Sequence, residues 1–450
     1  MSDILFATDA MLAVFSARAR IERMLDVEAA LARAEAATGV IPQAAADAIA
    51  KACKAGTYDV DGIARGARTA GNLAIPLVAA LTREVAGSAP AASGYVHWGA
   101  TSQDIIDTGL VLQLRDALTL IESDVARLAS ALADQASRHA DTVLAGRTWM
   151  QQALPITLGV KLAGVVSALD RHGERLVDVR RRALVVQFGG AAGTLASLGD
   201  RGLAVTESLA KHLDLGVPDL PWHTHRDRFC EIASTLGMLT ATLGKFARDV
   251  ALLAQSEVGE AHEPAGEGRG GSSTMPQKRN PVGASIAIEA AIRVPGLVST
   301  MLSAAVQEHE RGLGNWPAEW STLPDIALLA SGALAAMVEV AEGLDVDAQR
   351  MRSNLELTRG LIFAEAVQMA LAPTLGRDAA HALVARACRR ASAENVHLRD
   401  ILAEESDVGR VLDASALADL FEPRGYLGAA RAYVDRVLAA RGLRNSRKET

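Results

Sequence analysis

Aromatic side chains are scarce in this chain: Phe, Trp and Tyr together make up 4% of its 450 residues, although 50% are hydrophobic. Sheets favour aromatic and β-branched residues, whereas a chain rich in Ala and Leu favours closely packed helices. Cysteine is nearly absent. Cys53, Cys230 and Cys388 are scattered without metal-ligand spacing, which excludes a disulfide framework and points to reduced thiols in a reducing compartment. No basic tract occurs, and 46 Lys and Arg against 53 Asp and Glu give a net charge of −7. That balance argues against nucleic acid as a partner. The N-terminus, MSDILFATDAML, lacks a basic segment followed by a long apolar core, so no signal peptide is expected. No run of 18 apolar residues is free of charge, so no membrane span is expected either. A cytoplasmic protein follows from these absences. His223 and His225 are two residues apart and have no accompanying acid or thiol pattern, so no metal is assigned.

Glycine, by contrast, is concentrated in one place. The stretch Gly266–Pro281, GEGRGGSSTMPQKRNP, carries Gly266, Gly268, Gly270 and Gly271, then Ser272 and Ser273, then Lys278, Arg279 and Asn280. Glycines let backbone approach a ligand closely, so the segment reads as a mobile loop. Pro281 suits the first turn of a following helix. Hydroxyls, amide N–H groups, cations and a carboxamide within nine residues suit a small anionic substrate, above all a carboxylate whose α-carbon gains or loses a proton.

Length alone suggests about three domains. Residues 1–100 read as a small helical domain, with Leu25, Ala29 and Ala32 on one face of a helix over Ile21–Ala37. Arg18 and Arg20 beside Ser16 are either solvated helix charges or cations able to reach a carboxylate. In YVHWGATSQDIIDTG, Tyr95–Gly109, Thr101 or Ser102 can cap the next helix. Either hydroxyl can also serve an anion held at that helix N-terminus. His97 lies in the loop that delivers them.

Long proline-free or proline-initiated periodic runs then follow: Asp104–His139, Pro155–Val186, His223–Gly259, Pro281–Ala305 and Pro324–Gly343. They predict a central bundle of five long helices over residues 101–350. Their alanines and glycines, with more apolar surface than one bundle hides, predict a homo-oligomer. Between the first two helices, GRTWMQQALPITLG places Thr148 and Gln151 in an apolar turn. Arg311, in QEHERGLGNWPAEW at the end of another helix, is either a surface cation or a carboxylate clamp, and its glycine-rich, aromatic setting favours the clamp. Shorter helices make a third domain over 351–450.

GSSTMPQKRNP resembles the signature of the fumarase/aspartase superfamily, G-S-S-x-M-P-x-K-x-N, at every fixed position. Gly99–Gly109 and Gly146–Gly159 are similar to that superfamily's other two shared regions, in its order. The resemblance covers essentially the whole chain and implies an all-α, three-domain subunit. It also implies homotetramers whose active sites are shared, gathering the three regions from three chains. By the same resemblance Ser272 is the general acid/base, with His97 a second candidate and Lys278 the cation of the reacting centre. Thr101, Ser102, Thr148, Trp149, Gln151, Ser273, Asn280 and Arg311 are implied to bind substrate. One position departs: many members carry a histidine where this chain has Trp149. An indole N–H can only donate, so a fumarate-releasing mechanism through that histidine is in doubt. With MLDVEAALARAEA, PWHTHRDR and QEHERGLGNWPAEW, that change narrows the resemblance to a branch acting on a small polycarboxylate by intramolecular addition, without cofactor or metal. Pro317 stands where that branch carries a histidine.

Overall fold

A computed structural model describes residues 5–54, 57–266, 270–271, 274–275 and 277–448, with side chains through residue 443. Ser272 and Ser273 lie outside the described residues, as do Glu267, Gly268 and Arg269 of the loop read as mobile. In chain order the helices before residue 102 are α1 (Asp9–Val14), α2 (Ala17–Ala37), α3 (Gln43–Ala52), α4 (Val60–Ala70) and α5 (Ala74–Ser88). Five long helices follow: α6 (Ser102–Arg138), α7 (Leu158–Ala183), α9 (Asp227–Leu253), α10 (Val282–Ala304) and α11 (Asn315–Glu342), with the shorter α8 (Gly202–Leu213) among them. At 1.5 Å rise, the 37 residues of α6 span about 55 Å. After them come α12 (Ala348–Asn354), α13 (Ala364–Leu375), α14 (Arg377–Glu394), α15 (Leu398–Ala403), α16 (Ser406–Gly409), α17 (Ala414–Asp419) and α18 (Ala430–Lys448). The fold is all-α. Its described strands are two small antiparallel pairs: β1 (Val143–Thr148) with β2 (Gln151–Thr157), and β3 (Ala261–His262) with β4 (Asp345–Val346).

The chain divides into two compact units. Unit 1 holds Met1–Val125, His172–Gly244 and Ile286–Ala335; unit 2 holds Ala126–Arg171, Lys245–Ser285 and Ala336–Thr450. Every crossing falls within a long helix. In unit 1, α2 packs Ile21, Leu25 and Leu31 against Ile49 of α3, Leu77 and Leu81 of α5, and Leu209 of α8. The helix was expected to bury one stripe. Instead nearly all of Met24–Glu35 is buried, including Glu28 and Glu35. In unit 2, Leu371 of α13, Leu383 of α14 and Leu402 of α15 share a core.

Three expectations fail at prolines or beside them. Pro155 does not start a helix but lies in β2 opposite Ala145, at the irregularity of a β-hairpin; the apolar turn expected over Gly146–Gly159 is that hairpin. Pro324 does not start α11, which begins nine residues earlier, at Asn315. An interior proline leaves the carbonyl four residues back without its helical donor. Here that carbonyl is Trp320 O, and Arg20 Nη2 donates to it at 3.1 Å. By length and composition alone α10 and α11 are apolar enough to cross a membrane, although neither is free of charged residues. The apolar window of α11 is 78% buried within the protein, as in a core helix, whereas that of α10 is 28% buried.

Glu35 is 1% exposed, and neither of its oxygens has a hydrogen-bond partner among the described residues. Burial, and then the Glu28 carboxylate, push its carboxyl up to about 9. A folded-state value raised above the unfolded one means that the unfolded chain loses this proton first. Stability therefore falls as pH climbs from about 4.5 towards about 9. Glu35→Gln is expected to flatten that fall and to stabilise the protein at pH 8 by at least about 1 kcal/mol. Urea unfolding midpoints across the pH series measure it.

Candidate active site

In unit 1 the site is built around the N-terminus of α6. Ser102 is its first residue, and Thr101 precedes it as the cap position. The Thr101 N–H donates to Asp104 Oδ2 at 3.0 Å, the return half of a capping box. Asp104 is 1% exposed and accepts three further bonds. Gly189 N–H and His223 Nε2 reach Oδ1 at 3.0 and 2.8 Å, and Gly190 N–H reaches Oδ2 at 2.9 Å. The Gly189–Gly193 loop is thereby held against the loop before α6. Gly190 has φ of +67°, and a Cβ there would sit 2.9 Å from Gly99 O, so the two loops meet only through glycine. His223 is 4% exposed and its Nδ1 has no partner among the described residues.

His97 lies in the same entry loop, in the left-handed region at φ +59°. Its Nδ1 is 2.6 Å from Oε1 of the buried Glu28. Burial disfavours the imidazolium, but the Glu28 carboxylate and this hydrogen bond outweigh burial, and His97 titrates above its ordinary range. Arg311 joins the group. Its Nε donates to Gln103 Oε1 at 3.0 Å and its Nη2 to Ala191 O at 3.2 Å. Gln103 in turn donates to Asp107 Oδ2 and His223 O. One turn further along α6, Asp107 accepts from Arg226 Nη1 at 2.7 Å and from Trp316 Nε1 at 2.9 Å. Arg226 also forks onto Glu319, its Nη2 2.6 Å from Oε2, and lies 4.8 Å from the Trp222 and Phe229 ring centroids. Two buried carboxylates share one cation, and burial first of all pushes Glu319 up to about 6.

In unit 2 the β1–β2 hairpin carries the second region. Thr148 pairs with Gln151, leaving Trp149 and Met150 as a two-residue turn. Both have positive φ, +51° and +65°. Such a turn prefers Asn-Gly, and each non-glycine residue held there costs about 1–3 kcal/mol. Both side chains are also turned outward, Trp149 being 98% exposed. The hairpin itself is anchored: Arg147 forks onto the fully buried Glu260 at 2.6 and 3.0 Å, and Asn354 Nδ2 donates to the same carboxylate at 2.8 Å.

The described ends of the signature segment are also in unit 2. Asn280 N–H donates to Gly270 O at 2.8 Å. Gly270 has φ of +63°, and a Cβ there would lie 2.4 Å from Asn280 O, so only glycine closes this loop. Lys278 and Asn280 line a cavity of about 250 Å³ with His262, Glu263 and Pro264. Pro281 immediately precedes α10 instead of opening it. The first N–H groups of α10 are taken by Glu263, from Gly283 at 3.0 Å and Ala284 at 2.6 Å. Arg279, which stays exposed, donates to Glu263 O at 3.0 Å and pairs with Asp345 at 3.4 Å.

The family model described as lyase matches residues 3–296, and that of the adenylosuccinate lyase C-terminus matches residues 360–437. The 3-carboxy-cis,cis-muconate cycloisomerase of Pseudomonas aeruginosa is 58% identical over 437 residues, 97% of this chain and 95% of that protein. That of Bradyrhizobium diazoefficiens is 54% identical over 434 residues, 96% of both. This chain belongs to the fumarase/aspartase superfamily. The solved 3-carboxy-cis,cis-muconate lactonizing enzyme of Pseudomonas putida shares its fold at a TM-score of 0.93 and 55% identity, covering 98% of both chains.

For a fumarase/aspartase member, the expected residues fall into separate groups. His97, Thr101, Ser102 and Arg311 belong to unit 1; Thr148, Trp149 and Gln151 form the hairpin tip of unit 2, and Lys278 and Asn280 its cavity. Sequence reasoning missed the groups that hold them: Asp104 with His223, Asp107 with Arg226 and Glu319, Glu28, and Glu260. Only SQDIID, with two acids three apart in the first two turns of α6, and PWHTHRDR carried a signal. Asp104→Asn leaves one neutral acceptor for four donors. It is expected to cost about 2–4 kcal/mol in urea unfolding, and an unchanged midpoint would rule out this role.

Proposed function

We propose that this chain is a 3-carboxy-cis,cis-muconate cycloisomerase, forming 4-carboxymuconolactone in the protocatechuate branch of the β-ketoadipate pathway. The observation that carries this reading is 58% identity to the Pseudomonas aeruginosa cycloisomerase across 97% of the chain. One carboxylate of the substrate adds across a double bond conjugated to a second carboxylate, and the carbon α to that second carboxylate takes a proton. The step is the reverse of a β-elimination and involves no net redox change, so it requires no redox cofactor. Charge moves onto the conjugated carboxylate as it becomes an enolate. Lys278, Asn280 and loop N–H groups are the donors assigned to that charge; removing one such donor costs about 10²–10³ in rate. Ser272 is the first candidate for the proton donor and His97 the second. His97 titrates above its ordinary range because its burial is outweighed by the Glu28 carboxylate, which favours its protonated form.

Thr101, Ser102, Thr148, Gln151, Ser273 and Arg311 are assigned to the substrate's carboxylates. The site is assembled from three copies of the chain within a homotetramer. Two observations support assembly: the strained, outward-facing Trp149–Met150 tip, and the exposed apolar side chains of α10, Ile292 at 69% and Leu302 at 54%. The division at residues 100 and 350, and a cytoplasmic location, belong to the same proposal.

Ser272→Ala and Lys278→Ala are each expected to leave assembly intact while lowering lactonisation by at least about 10², followed by loss of absorbance of 3-carboxy-cis,cis-muconate. Wild-type rates in either variant would reject that residue's role, and no turnover by the wild-type protein would reject the function. Replacing Trp149 and Met150 together by Asn and Gly suits the turn better and removes the exposed indole. The double variant is expected to stay folded yet lose lactonising activity; retained activity would remove Trp149 from the site.

A further inference from the structure

We propose that Arg20 and Trp320 form a binding site for a small carboxylate, one with an apolar body such as a simple aromatic acid. They line one pocket of unit 1 together with Met24, Leu73, Ile106, Gly109, Leu110 and Gln113, around a cavity of about 30 Å³. That volume suits one carboxylate-sized group, and Leu73 and Ile106 of its lining are half-buried.

Two unmet donors define the chemistry. The Arg20 guanidinium has five N–H groups. The bond found for them among the described residues is Nη2 to Trp320 O, the carbonyl freed by Pro324, and no carboxylate pairs with Arg20 among those residues. Burial without a counter-charge holds its titration below the usual arginine range. Arg20 is half-buried, and a cation partly withdrawn from water with no carboxylate paired to it among the described residues is incompletely compensated. The second donor is Trp320 Nε1–H, which is buried and has no acceptor. A carboxylate presents two oxygens in the geometry that a guanidinium fork matches, with capacity left for the indole N–H. Water would meet the hydrogen bonds but not the charge. Gln113 is already committed, its Nε2 donating to Val14 O at 2.7 Å. The remaining wall is hydrocarbon, from Met24, Leu73, Ile106 and Leu110, which favours an organic anion over a hydrated halide. Gly109 lets α6 approach α2 here: a Cβ would lie 3.2 Å from Met24 Cγ.

The test is calorimetric titration of the full-length protein with sodium benzoate at constant ionic strength, independent of the lactonisation assay. Saturable binding is expected, weakened about tenfold or more in Arg20→Gln, which loses the charge-assisted fork. Trp320→Phe keeps the ring and the backbone carbonyl and removes only the N–H; it is expected to weaken binding severalfold and decides the matter if Arg20→Gln does not fold. The proposal is overturned if the wild-type protein shows no saturable heat at tens of millimolar benzoate. Equal affinity in both variants, which would mean that benzoate binds at other cations, overturns it too, as does equally tight binding of chloride.

Discussion

One buried carboxylate, Asp104, determines where the first group of site residues can be. A charge taken out of water costs several kcal/mol unless its lone pairs are met, and Asp104 meets them with four N–H donors from three segments: Thr101, Gly189 with Gly190, and His223. Two of those donors are backbone groups of a glycine loop whose geometry has no intrinsic preference for this arrangement. The carboxylate therefore supplies the preference. It also ties the start of a long helix to a loop 85 residues away, so Thr101 and Ser102 sit on a rigid support and not on a free terminus. The arrangement continues one turn along, where Asp107, Arg226 and Glu319 brace α6 against α9 and α11. Arg311 reaches this framework through Gln103. A cation that would otherwise be a flexible surface side chain is thus held by two bonds at defined positions, which lowers the entropy lost on gripping a ligand.

The second region uses the opposite device. The hairpin base is fixed by Glu260, fully buried and matched by Arg147 and Asn354, while its tip is strained and outward. Backbone strain persists only where the surroundings over-determine it, and here the anchored base provides that constraint. A tip optimised for the monomer alone would carry Asn-Gly. Bulky Trp149 and Met150 in left-handed positions are costly for the turn itself.

What could be read from the sequence was local. The ten-residue signature, the 3.6-residue periodicity of α6 and α10, and the cap at Thr101–Ser102 depend on neighbours a few residues apart, and all were legible. What could not be read was tertiary. Asp104 meets His223 across 119 residues and Arg147 meets Glu260 across 113. Nothing in a single chain marks such partners beyond the bare presence of acids and bases. The prolines misled for a related reason. Pro155 and Pro324 read as helix starts because that is the commonest tolerated place, but the hairpin irregularity opposite Ala145 accommodates the first. The second is tolerated because Arg20 supplies the donor that the helix has lost.

The indole at position 149 is intelligible from proton counting. An elimination that releases an amine and fumarate needs two transfers: a base takes the α-proton, and an acid protonates the departing nitrogen. A second titratable side chain near neutral pH is then required, and histidine is the natural choice. In the proposed lactonisation the nucleophile is a carboxylate, already ionised at neutral pH because its ordinary value lies near 4. It needs no base to attack, and the only proton that moves goes to the carbon α to the conjugated carboxylate. One donor suffices, and an imidazole in the second region has no proton to carry. A group there can instead exclude water and shape the pocket around a rigid diene, which a large ring does better. A tryptophan at position 149 is therefore compatible with the proposed ring closure.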